Sequence, residues 1–187
     1  MKGWKDMQKK LSLNGTLLII PGIILMLLPL ELFWSVGAWL DLVGYALMAV
    51  GLFMLHRENG GFGAADWAAA ASALLCLVIP FVQLGHFGHL FGLLPLAIYC
   101  LMLYFMCTSY AALAHHTGDH HVEHHFITHM WVDIIATAAE VLAHAVGIHG
   151  ILSYVILAVT IYCEAMLMLH MWRFYKKYNG FSFVINR

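Results

Sequence analysis

Residues 129–146 read HMWVDIIATAAEVLAHAV, an apolar run of helix length that carries His129, Asp133, Glu140 and His144. Their steps of 4, 7 and 4 residues put all four on one stripe of a 3.6-residue helix, with Thr137 between them. The surroundings decide how the stripe is read. Of 187 residues, 63% are hydrophobic and 10% are charged, whereas soluble domains hold about 45–50% apolar residues. The mean hydropathy is +0.83. The fold class expected is therefore all-α, a single polytopic integral membrane domain. An ionisable group at mid-bilayer costs at least ~2.5–3.5 kcal/mol. A row of them inside one span needs partners or a purpose.

Working outward from that helix, and allowing about 20 apolar residues per crossing, six spans are expected at about 11–30, 33–55, 66–84, 90–113, 128–146 and 151–172. The nine basic residues are Lys2, Lys5, Lys9, Lys10, Arg57, Arg173, Lys176, Lys177 and Arg187. With six spans all nine fall on one side, and the positive-inside rule makes that side cytoplasmic, with both termini there. The expected location is a bacterial cytoplasmic membrane, with the lipid bilayer as the first partner. The first apolar run leads straight into a second, so it reads as a span and not as a cleaved signal. A net charge of −1 excludes a nucleic-acid surface. The four cysteines, Cys76, Cys100, Cys107 and Cys163, sit in apolar runs without a CxxC pair, as buried thiols do. IYCLMLYFM at 98–106 faintly echoes IYCEAMLML at 161–169.

Depth follows from a rise of about 1.5 Å per residue. On that scale Asp41 and Glu140 share an outer layer at roughly 12 and 9 Å, with His144 above them. Asp133 and Glu164 share an inner layer near roughly 20 Å, and His129 and His170 mark the cytoplasmic mouth. No Lys or Arg lies within a span interior. The counter-charge for these acids must then be a proton, a metal ion or a protonated histidine. The plainer alternative is that each acid keeps its proton and hydrogen-bonds a neighbouring helix.

Residues 115–129 read HHTGDHHVEHHFITH. The segment 115–127 is expected to be a cytoplasmic loop in which His115, His116, His120, His121, His124 and His125 capture metal, since imidazole is a common ligand for zinc, nickel and copper. A pH-responsive loop is the alternative. The HVEHH of 121–125 resembles one histidine box of the membrane di-iron desaturases, although the distant further box which that family uses has no counterpart.

A histidine-rich segment before an HxxxD pair on the fifth of six spans resembles the cation diffusion facilitators. The resemblance implies a tetrahedral zinc site with His129 and Asp133 as ligands and Asp41 as a third, from the second span. Gly37 stands where that family has the fourth ligand, and its soluble C-terminal domain has no counterpart. Glu164 or Glu140 are the candidates to complete the shell. The first hairpin, with GTLLIIPGIILMLLP at 15–29, is similar to acid-resistance membrane proteins of the HdeD type. Substrate-binding subunits of energy-coupling-factor transporters share the size and topology but carry a small-residue pattern in the first span that is missing here.

The expected function is binding and transport of a divalent cation, zinc first, exchanging with protons. The metal set is His129, Asp133, Asp41, Glu164, Glu140 and His144, supplied by the histidine loop. A homo-oligomer or larger membrane complex is expected, because six short helices make a thin wall around a pathway. The competing readings are a membrane metalloenzyme with the same ligands and an accessory subunit whose acids are protonated. No haem is expected, since His144 and His170 fall at opposite faces.

Overall fold

The computed structural model describes residues 8–27, 34–78, 88–146 and 150–184. Among them are six helices: α1 (Thr16–Leu27), α2 (Trp34–Leu55), α3 (Gly61–Val78), α4 (Gly88–His116), α5 (His120–Val146) and α6 (Ile151–Tyr178). Two three-residue strands, β1 (Gln8–Lys10) and β2 (Ser182–Val184), add a small antiparallel pair that the all-helical expectation did not contain. Four helices are long and apolar enough to cross a membrane, over Gly61–Val78, Leu93–His116, His120–Ala143 and Tyr154–Tyr178. In the other two helices the apolar stretches identified are shorter, Thr16–Leu27 in α1 and Trp39–Leu55 within α2. The expected first span becomes helical at Thr16. Its end at 28–30 and the end of the third span at 79–84 lie outside the described residues.

Each helix packs on the next in sequence, and α1 returns to α6, so the six close into a ring. The strand pair sets Lys10 opposite Ser182, and Leu11 N–H donates to the Phe181 carbonyl at 2.9 Å. The start of α1 and the end of α6 therefore share one face of the bundle. The α4–α5 turn lies on that face too, because Lys177 Nζ and the Tyr178 hydroxyl donate to Asp119 Oδ2 at 2.8 and 3.0 Å. Beneath it Tyr110 is fully buried, with Phe62, Phe126 and Phe174 around its ring at centroid distances of 5.0, 5.2 and 6.3 Å. Its hydroxyl meets Thr16 Oγ1 at 2.7 Å. Large apolar side chains cover the outside, Trp67 at 79% exposure among them, as a lipid-facing surface requires.

The histidine-rich run corrects an expectation. It is not a loop over 115–127: only Thr117–Asp119 separate α4 from α5. Gly118 takes φ +77°, and its N–H reaches the His115 carbonyl while Asp119 N–H reaches that of Ala114, the paired bonds of a Schellman stop. Asp119 then caps α5, its Oδ1 accepting from Val122 N–H at 3.4 Å. Val122, Phe126 and Met130 recur every four residues and pack into the core, and this buried stripe keeps the histidine run helical. Burial raises the Asp119 carboxyl, but the bonds from Lys177, Tyr178 and Val122 outweigh it and hold the group below its usual value of 3.8.

Candidate functional site

On α5 the ionisable stripe starts two turns earlier than the sequence reading placed it. His121, His125, His129 and Asp133 follow one another at steps of four and point along one face. That face meets α6, which supplies Glu164 and His170, and α4, which supplies Tyr99.

Three imidazoles converge near the end of this stripe. One ring nitrogen each from His125, His129 and His170 lies within 4.8 Å of the others. The His125 and His170 rings stack at 4.5 Å and 14°, and His129 stands 5.5 Å from His170 by ring centroids. His121 adds a fourth ring, its Nε2 at 3.1 Å from His125 Nε2. The His129 Nδ1 lies 2.8 Å from the His125 carbonyl oxygen. A carbonyl only accepts, so Nδ1 carries the hydrogen and Nε2 presents its lone pair, the tautomer a metal ligand needs. His170 is 5% exposed, and its Nε2 is buried without a hydrogen-bond partner. Such an orphan costs about 1–3 kcal/mol, so a cation at this point would relieve it. Tetrahedral zinc bonds imidazole nitrogens at about 2.0–2.1 Å, which sets them roughly 3.3 Å apart.

A second cluster sits at the hairpin tip. Glu123 Oε2 lies 3.0 Å from Nδ1 of both His115 and His120. Both histidines are exposed.

Deeper in the bundle, Tyr99 joins two carboxyl groups. Its hydroxyl is 2.7 Å from Glu164 Oε1 and 3.1 Å from Asp133 Oδ2. Asp133 is 0% exposed and Glu164 8%. Their outer oxygens, Asp133 Oδ1 and Glu164 Oε2, are buried without partners. Beside Tyr99 and Glu164 is a cavity of about 10 Å³ whose walls include Met26, Met48, Met102 and Met106. Thioethers and alkyl groups offer a buried charge little solvation.

The expected ligand set is thus divided. His129 joins His125 and His170, not Asp133; Asp133 joins Glu164 through Tyr99. Asp41 and Glu140 are half-buried on α2 and α5 and stand in neither histidine cluster. The backbone of His144 belongs to α5, and its side chain lies outside the described residues. His116 and His124 are exposed neighbours of the clusters, and neither belongs to one. Sequence reasoning missed Tyr99 altogether and took His170 only as a marker of the mouth. The readable signal for the histidine site was the extension of the stripe from His129 back to His125 and His121.

No protein-family model, no curated protein and no solved structure matches this chain.

Proposed function

We propose that this chain is an integral membrane protein of six passes that binds and carries a divalent transition-metal cation, zinc first among them. The observation that carries the reading is the convergence of ring nitrogens from His125, His129 and His170, with His170 buried and its Nε2 without a hydrogen-bond partner. Neutral imidazoles suit zinc, copper and nickel and are poor ligands for magnesium or calcium. The remaining layers fall in line with it. His115, His120 and Glu123 form an exposed collecting point at the hairpin tip, and the Tyr99-linked acids lie on the inward side of the histidines.

Orientation in this reading follows the charges. Lys10, Arg173, Lys176 and Lys177 belong to the face that carries the β1–β2 pair. Arg57 lies in the α2–α3 turn, whose Asn59 bonds the Ser109 carbonyl two turns from the end of α4. The positive-inside rule makes this face cytoplasmic, so both histidine clusters meet metal from the cytoplasm. The likeness to cation diffusion facilitators rests on the HxxxD spacing and the helix pattern, and in this chain His129 and Asp133 fall in separate clusters, so the reading rests on the histidines.

Reconstitution tests the reading. Liposomes holding a zinc-sensitive dye and the intact chain should accumulate zinc, and His129→Ala or His170→Ala should reduce the rate at least about tenfold. Flux equal to protein-free liposomes would refute transport. A membrane metalloenzyme is the second reading, favoured by the three-imidazole count, which leaves a fourth position for water. Stoichiometric metal retained through purification without flux would select it.

A further inference from the structure

We propose that Asp133, Tyr99 and Glu164 form a proton-binding site that holds one exchangeable proton, shared between the two carboxyl groups through the phenol. The inference comes from counting hydrogens and stands apart from metal binding. Tyr99 has one hydroxyl hydrogen and two carboxyl oxygens within hydrogen-bond distance, at 2.7 and 3.1 Å. It can donate to one of them. The other contact is a hydrogen bond only if that acid carries a proton and donates to the phenol oxygen. An O–H to carboxylate bond is characteristically short, about 2.5–2.7 Å, which assigns the phenol hydrogen to ionised Glu164. Asp133 is then the acid that holds the proton and donates at the longer distance.

The surroundings agree with one neutral acid in the pair. The titratable groups around the pair are Cys100 and Cys107 on α4, Cys163 on α6, and Tyr45 on α2 with Asp41 one turn from it. None of these is a cation. His129 lies one turn along α5, and His170 lies six residues from Glu164 on α6. The basic residues Arg173, Lys176 and Lys177 are exposed at the far end of α6. Two carboxylates held by one phenol and enclosed by thioethers cannot both remain charged. The arrangement also moves the proton without moving the acids. As Asp133 gives its hydrogen to the phenol oxygen, the phenol gives its own to Glu164 Oε1. One O–H bond breaks and one forms at each step, and the net change is a proton shifted from α5 to α6.

Infrared spectroscopy of the full chain in metal-free detergent or nanodiscs reads this directly. At neutral pH the wild type should show the carbonyl stretch of a protonated carboxylic acid that is lost in Asp133→Asn, retained in Glu164→Gln and moved in frequency in Tyr99→Phe. A wild-type spectrum unaltered by Asp133→Asn would overturn the proposal. So would a band that Tyr99→Phe leaves at the same frequency, a readout that holds even if Asp133→Asn fails to fold. Because no metal is added, failure here leaves the histidine site standing, and failure to bind zinc leaves this proton in place.

Discussion

His129 uses its two ring nitrogens for two jobs: Nδ1 is spent on the carbonyl of His125 one turn back, and Nε2 is left as a lone pair. An alanine there would remove one of the proposed ligands, whereas an asparagine at Asp133, one turn further, should leave the histidine cluster intact. Asp119 shows the same economy outside the bundle. One side chain caps α5 through Val122, accepts from the Tyr178 hydroxyl and pairs with exposed Lys177. The exposed ion pair contributes little after solvent screening, so the cap and the phenol bond dominate. Asp119→Ala should cost about 1–2 kcal/mol in thermal or denaturant unfolding. Because the carboxyl is held below its ordinary value of 3.8, its stabilisation is complete above that value. It fades as pH falls through the lower folded-state value. Wild-type stability should therefore drop more steeply than that of Asp119→Asn on acidification into this range. Parallel curves would exclude the role.

At the scale of elements, α1 and α2 touch backbone to backbone. A Cβ on Gly22 would stand 2.7 Å from the Gly44 carbonyl oxygen and 2.6 Å from Met48 Cγ, and Gly15 and Gly51 meet in the same way seven residues along. Gly22→Leu should destabilise the fold by about 1–3 kcal/mol through overpacking. Gly60→Ala, whose added carbon meets nothing within 4 Å, should stay within about 0.5 kcal/mol of wild type. Equal unfolding midpoints for the two variants would contradict the packing described. The last four helices were legible as apolar runs, since hydropathy alone fixes them. The early start of α5 was not, because seven histidines over 115–129 mask the stripe of Val122, Phe126 and Met130. Gly118 followed by Asp119 was the local signal of a tight helix–helix turn. The layer of Asp133 and Glu164 was readable from helical rise. Tyr99 could not be found that way, since a tyrosine in an apolar run carries no mark of the two acids it will bridge.

For the whole molecule, the closed ring of helices and the clip between β1 and β2 put that strand pair and the α4–α5 turn on one face. If that face is cytoplasmic, single cysteines introduced at exposed Arg57 and His116 should label only from the cytoplasmic side. Labelling of the two from opposite sides would break the six-pass account. The proposed metal site, built by His125, His129 and His170, then lies nearer that face than the proposed proton site of Asp133, Tyr99 and Glu164. The measurement that bears on this most directly is metal-edge X-ray absorption on zinc-loaded protein, beside the zinc content of wild type, His170→Ala and Asp133→Asn. The account predicts at least three imidazole nitrogens at about 2.0–2.1 Å, zinc lost in His170→Ala and kept in Asp133→Asn. Zinc held unchanged by His170→Ala, or lost only with Asp133→Asn, would contradict it.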